Sequence, residues 1–270
     1  MEVVKKAAGL LTKIKENRPV IHHITNYVTM NDSANIVLAV GGSPIMANDT
    51  AEVTEVVAIS KSLVLNMGTP NRNNFRSMLL AGSKANELGI PVILDPVGAG
   101  VTAFRKEICG RLLTDIRPAV IRGNFSEIMQ LAGMNGYSRG IDSSLDTDNG
   151  KGLVRELAGR LNCIVAATGR YDMVSDGKTT YTIHNGHELL SRVTGTGCMT
   201  SSLIGAFCSV AQDYLAGAVG GIMAMGISGQ LAFDGMLPGE GTGMFKVRLF
   251  DNIYNLDGDT LVKEGAVYAE

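Results

Sequence analysis

The sequence predicts an α/β fold: a mostly parallel central sheet with helices on both faces and an antiparallel hairpin at one edge. Three observations carry that expectation. Short apolar runs alternate with longer stretches of helical period, glycine and proline mark the junctions, and past residue 168 two short strands flank a Ser-Asp-Gly-Lys turn.

Residues 1–18 carry apolar side chains at Val3, Val4, Ala7, Leu10, Leu11 and Ile14 between lysines, the spacing of an amphipathic helix. The stretch lacks the apolar centre and small-residue cleavage site of a secretory signal, so a cytoplasmic protein is expected. Strands are expected over 20–25, 43–47, 63–67, 92–94, 119–121 and 164–167. Helices over 31–40, 51–61, 73–88, 104–114, 126–132 and 152–161 supply the crossovers that parallel strands require. The hairpin covers 171–175 and 179–184, and the remainder reads as mostly helical. Residues 133–150 are polar and glycine-rich, which reads as a mobile surface loop rather than a domain linker. The apolar run 215–233 is rich in Gly and Ala and contains Gln and Ser, so it reads as a buried helix rather than a membrane span.

Charge excludes some partners. With 24 basic and 26 acidic residues the net charge is -2, which gives no basic footprint for nucleic acid and no polybasic patch for a membrane surface. A small-molecule partner is expected. The four cysteines, at 109, 163, 198 and 208, form no CxxC pair, and all but Cys198 lie in apolar stretches, so disulfides are not expected.

The most informative segment is VTGTGCMTSS, 193–202, directly ahead of the apolar helical run 203–210. Gly195 and Gly197 let backbone approach a ligand, and the first amides of a helix lack internal partners, so an anion such as phosphate is the natural occupant. No Lys follows the glycines and a third glycine is missing, which excludes a Walker A loop and a dinucleotide fingerprint. A helix start after a flexible loop is the alternative reading.

In open parallel sheets ligands bind at the carboxyl ends of the strands, so the strand-exit residues matter. Asp95 opens the segment DPVGAG, and Glu127 falls in the first turn of the helix after Asn124. Two carboxylates near an anion site can hold Mg²⁺ bridged to phosphate; taken singly, Asp95 reads rather as turn chemistry before Pro96 and Glu127 as a helix N-terminal carboxylate. Arg122 ends an apolar strand, where either a phosphate or a neighbouring carboxylate would pair with it. His22 and His23 are adjacent in a strand and face opposite sides, and His184 and His187 have no third ligand at metal spacing, so zinc is not expected. The 13 methionines read as core filler, with Met46 at a strand exit as the exception.

With these residues assembled, the chain resembles the hydroxyethylthiazole kinases of the ribokinase-like superfamily. The resemblance runs through HHITNYV (22–28), SPIMA (43–47), LVLNMGT (63–69), PVILDPVGAG (91–100), IRGNFSEI (121–128), TIHNGH (182–187) and VTGTGCM (193–199). It implies a single ribokinase-like domain over 1–270 that uses ATP to phosphorylate the alcohol of 4-methyl-5-(2-hydroxyethyl)thiazole. Matched by position, Met46, Gly195, Asn26 and Gly68 contact the thiazole, Arg122, Thr168 and Gly197 hold ATP, and Asp95 and Glu127 serve Mg²⁺. The resemblance also implies a homotrimer with active sites between subunits. Ribokinase relatives carry an Asp where this chain has Cys198. A thiol at a helix start has a lowered pKa, so Cys198 as a thiolate base is one expectation and positioning without base catalysis is the other. Competing readings are another ribokinase-like kinase, a nucleotide-dependent hydrate dehydratase, and a non-catalytic ligand-binding module.

Overall fold

A computed structural model describes residues 2–134 and 147–270. The expected loop over 133–150 therefore lies mostly outside the described residues, and its last part, from Thr147, is helical.

Nine strands form one sheet: β1 (Val20–Ile24), β2 (Ser43–Met46), β3 (Ser62–Asn66), β4 (Val92–Asp95), β5 (Val120–Asn124), β6 (Ile164–Thr168), β7 (Asp172–Ser175), β8 (Thr180–Ile183) and β9 (Val267–Ala269). Their order is β2-β1-β3-β4-β5-β6-β7-β8-β9. The first six pair in parallel and the last three are antiparallel. The expected hairpin is β7 and β8, but β9 covers it, so the hairpin is not the outer edge. Three half-exposed residues after a helix gave the sequence too little apolar pattern to announce that strand.

Eleven helices surround the sheet among the described residues: α1 (Glu2–Asn17), α2 (Met30–Val40), α3 (Val53–Ile59), α4 (Arg72–Glu87), α5 (Ala103–Asp115), α6 (Phe125–Leu131), α7 (Thr147–Leu161), α8 (Thr196–Cys208), α9 (Tyr214–Asp234), α10 (Thr242–Asn255) and α11 (Gly258–Glu264). Two apolar layers result. On one face Ile21, Val64, Ile93, Val120 and Ala166 meet α1, α2 and α8 to α11. On the other, Leu63, Leu65, Val92, Leu94, Ile121 and Val165 meet α3 to α7. The alternation along each strand is the period of two that sends successive side chains to opposite faces.

Helix α9 is long and apolar enough to cross a membrane, yet 83% of its apolar window is buried inside the protein. It is a core helix. Its glycines let neighbours close in: a Cβ at Gly221 would lie 2.6 Å from the backbone of Ile204 in α8. Helix α8 in turn presses on the sheet through Gly205, where a Cβ would meet Val64 Cγ2 at 2.6 Å. This close stack of α9, α8 and sheet fixes where the start of α8 lies against the strand ends.

Candidate active site

The exits of β1, β3 and β4 meet the start of α8 in a chain of hydrogen bonds. Asn26, just past β1, donates from Nδ2 to Asn66 Oδ1 at 2.8 Å and to Cys198 Sγ at 3.4 Å. Asn66 donates to Asp95 Oδ2 at 2.8 Å and to Cys198 Sγ at 3.2 Å. Ser201, one turn along α8, donates to the same Asp95 oxygen at 2.7 Å. Asp95 is fully buried, and its Oδ1 has no partner. Burial pushes its carboxyl up to about 6; the Arg122 guanidinium opposes that and the charge of Glu127 adds to it.

Helix α8 begins at Thr196, earlier than the apolar run predicted. The extra turn is built from hydroxyl residues that bond back into the helix, Thr200 to the Thr196 carbonyl at 2.8 Å and Ser202 to that of Cys198 at 3.1 Å. Gly195 caps it at φ +94, where a Cβ would meet Thr29 Cγ2 at 2.8 Å. A side chain at Gly197 would collide with Arg122, whose Nη1 lies 2.7 Å from the Cβ position. The guanidinium therefore covers the first turn of α8. Its Nη1 is 3.8 Å from Asp95 Oδ2, its Nη2 donates to Thr168 Oγ1 at the end of β6, and its buried Nε has no partner.

Beside Arg122 opens a cavity of about 900 Å³, lined by Thr168, Asp172, Thr196 and Gly197 together with the apolar Leu190, Ile222 and Met225. Its wall thus combines a cation, a hydroxyl and a helix start with apolar side chains. Such a cleft suits a ligand with an anionic head and a flat apolar body.

Glu127 fulfils the capping reading: its Oε2 accepts from the Asn124 amide at 2.8 Å while Asn124 Oδ1 accepts from the Glu127 amide. Its Oε1 accepts from the Gly98 amide at 2.9 Å, which ties the DPVGAG loop to α6. Among the described residues no group of three His, Cys, Asp or Glu side chains stands ready for a metal. Gly68 lies against Asn26, 2.7 Å from where a Cβ would sit, and its amide donates to Asn66 Oδ1 at 2.9 Å. Met46 ends β2 opposite His23 in register, half-buried on the same sheet edge, and does not join the hydrogen-bonded chain. Of the ten residues singled out from sequence, Met46 stands apart from this cluster and Glu127 borders it through the Gly98 loop without a hydrogen bond into the chain.

Of the two expectations for Cys198, its surroundings favour positioning over a thiolate base. Burial pushes its thiol up, with Asp95 adding to the rise, so it is a neutral thiol and not a thiolate. The helix start favours a negative charge, but desolvation beside a buried carboxylate outweighs it. The other three cysteines are also free thiols. The histidine pair behaves as alternation requires: His22 faces the Ala47 carbonyl at 2.8 Å and His23 faces Ser202 Oγ at 3.1 Å. Sequence reasoning missed Ser201 and gave Asn66 no role. Ser201 follows Gly197 by four, the spacing of one helix face, and would have stood out had the helix been started at 196.

Comparison with known proteins decides the lineage. A model of the hydroxyethylthiazole kinase family matches residues 11–259. The chain belongs to that family. It is 50% identical over 268 residues to a hydroxyethylthiazole kinase of Alkaliphilus oremlandii, covering 99% of each chain, and 44% identical to one of Methanocella arvoryzae over 94% of this chain and 95% of that one. The solved structure of a hydroxyethylthiazole kinase protein from Pyrococcus horikoshii superposes with a TM-score of 0.87 at 36% identity, over 100% of both chains. Pyridoxal kinase from Staphylococcus aureus shares the fold alone, with a TM-score of 0.58 and 13% identity over 78% of this chain and 86% of that one. The ribokinase-like thiazole-kinase fold thus places Asp95, Arg122 and Cys198 within one cluster at the sheet edge.

Proposed function

We propose that the protein transfers the terminal phosphoryl group of ATP to the primary alcohol of 4-methyl-5-(2-hydroxyethyl)thiazole, in thiamine salvage, as one kinase domain acting in the cytoplasm. The observation that carries this reading is the Arg122 guanidinium lying over the first turn of α8, beside Asp95 and at the mouth of the cavity. Cation, helix start and carboxylate meet there, the set that binding and transfer of a phosphoryl group calls for.

In this reading the cavity receives the nucleotide. Thr168, Arg122 and the amides around Gly197 hold its phosphates, with the apolar side chains of Ile222 and Met225 taking the base. The thiazole lies on the other side of the α8 start, against Asn26, Gly68 and Gly195, with Met46 closing the edge. The family activity implies Mg²⁺. Asp95 fits it through its unpartnered buried Oδ1, and Glu127 fits through water, since both of its oxygens already accept backbone amides. Two carboxylates suit a cation that keeps waters and phosphate oxygens as its other ligands. When bound, Mg²⁺ neutralises charge on the phosphates.

Cys198 stays a thiol. Held by two asparagine amides, it fixes the floor on which the alcohol rests and is not the base. A loose phosphoryl-transfer transition state asks little of a base, so positioning and the fixed charges of Arg122 and α8 supply most of the acceleration. Tyr27 and Val28, 62% and 66% exposed directly after Asn26, support the homotrimer reading, in which a partner copy covers the thiazole side.

A coupled ADP-release assay tests the proposal. The thiazole alcohol should be turned over in clear preference to pyridoxal and hydroxymethylpyrimidine. Faster turnover of either rival would make the protein a different kinase of this fold, and binding without ADP release would make it a ligand-binding module.

A further inference from the structure

Arg105 stands outside every role assigned so far. It lies in the first turn of α5, where the helix dipole disfavours a cation, and among the described residues no carboxylate pairs with it. Its partners are three backbone carbonyls. Nη1 donates to Met67 at 2.8 Å and to Val97 at 2.7 Å, and Nη2 donates to Gly68 at 2.8 Å. Gly98, at φ +66, lets the guanidinium come close: a Cβ there would be 3.3 Å from Nη1.

These carbonyls belong to two different loops, and both border the reaction centre. One follows β3 and carries Gly68, which rests on Asn26. The other follows β4, begins at Asp95, and is held from its far side by Glu127 on the Gly98 amide. Arg105 is the one described side chain that donates to both. Between the two loops run the bonds from Asn66 to Asp95 and Cys198, so any change in loop spacing moves the thiol floor relative to the carboxylate.

Resting on the phosphoryl-transfer reading above, we propose that Arg105 is a positioning residue that sets the spacing of the Gly68 and Asp95 loops and thereby shapes the alcohol side of the site. Two of its three bonds go to the Met67–Gly68 loop and none to Arg122, Thr168 or Gly197. Its loss should weaken the thiazole side more than the ATP side, a split that general destabilisation does not produce. A planar guanidinium can serve three carbonyls at once, whereas a lysine ammonium on a shorter reach cannot reproduce that fork.

The test uses Arg105→Ala and Arg105→Lys in the full chain. Titration calorimetry reads thiazole-alcohol affinity without nucleotide, and steady-state kinetics reads KM for ATP. Alcohol affinity should fall about tenfold or more in Arg105→Ala and less in Arg105→Lys, with KM for ATP changed by about twofold or less, since two of the three charge-assisted bonds lost are to the Gly68 loop. Millimolar guanidinium, below denaturing levels, should restore part of the alcohol affinity of Arg105→Ala. Unchanged alcohol affinity overturns the inference, as does a parallel loss on both sides that guanidinium does not reverse. A wild-type protein that binds no thiazole alcohol overturns the activity reading itself, and this inference with it.

Discussion

Replacing Arg122 with alanine removes the one described cation that faces both the start of α8 and Asp95. Two consequences follow from its contacts. The first is the loss of a preorganised donor aimed at developing negative charge, which in comparable sites costs ~10²–10³ in kcat, or about 2.7–4 kcal/mol. The second acts through Asp95. Its carboxyl already stands at about 6 because it is fully buried, and Arg122 is the largest influence holding it down. Without the guanidinium it rises further, so the acid limb of kcat/KM, set by the need for ionised Asp95, moves towards neutral pH. Steady-state kinetics across the acid range, with thermal melts to verify folding, measures both effects. A folded Arg122→Ala enzyme with less than about a tenfold loss in kcat, and with its acid limb where the wild type has it, would refute the reasoning.

Other perturbations separate the remaining roles. Cys198→Ser should keep most of its turnover, since the thiol is neutral and a hydroxyl can accept the same asparagine donors; a loss exceeding that of Arg122→Ala would restore the thiol as base. Cys198→Asp should fold and bind the thiazole, which calorimetry reads; loss of both would mean that the thiol is merely packed. Without metal, a folded-state carboxyl raised from 3.8 to about 6 means that the native state holds its proton more tightly than the unfolded chain, so the contribution of Asp95 to stability is fullest below 3.8 and declines as pH rises to about 6. That decline is on the order of 3 kcal/mol, and metal-free Asp95→Asn should flatten it in denaturant titrations while abolishing turnover. Gly195→Ala should lose about 1–2 kcal/mol in the same titrations, because φ +94 excludes a Cβ and Thr29 already fills the space.

Most of the sheet was legible because β1 and β3 to β6 are buried on both faces and so carry short apolar runs, with polar residues inside them only at His22, His23 and Arg122. Strand β9 was not, since three residues pairing with β8 carry no period of their own. The site was legible to the extent that its chemistry lies in residue type near a strand exit: Asp95 and Thr168 end their strands, and Arg122 lies two residues before the end of β5. What stayed hidden depends on tertiary pairing. Nothing local tells that Asn66 bridges Asp95 and Cys198, or that Arg105 reaches back to the β3 loop. The Cys198 thiol shows the same limit, because its helix position is visible in sequence while the burial that reverses its tendency is not.

The convergence of Arg122, the α8 amides and the two carboxylates on a single triphosphate is tested most directly by a crystal structure with a non-hydrolysable ATP analogue, Mg²⁺ and the thiazole alcohol. The account predicts the terminal phosphate within hydrogen-bonding reach of Arg122 and the amides of 196–198, and the alcohol oxygen beside Cys198. A triphosphate bound away from the start of α8, with Arg122 still engaged only by Asp95 and Thr168, would contradict it.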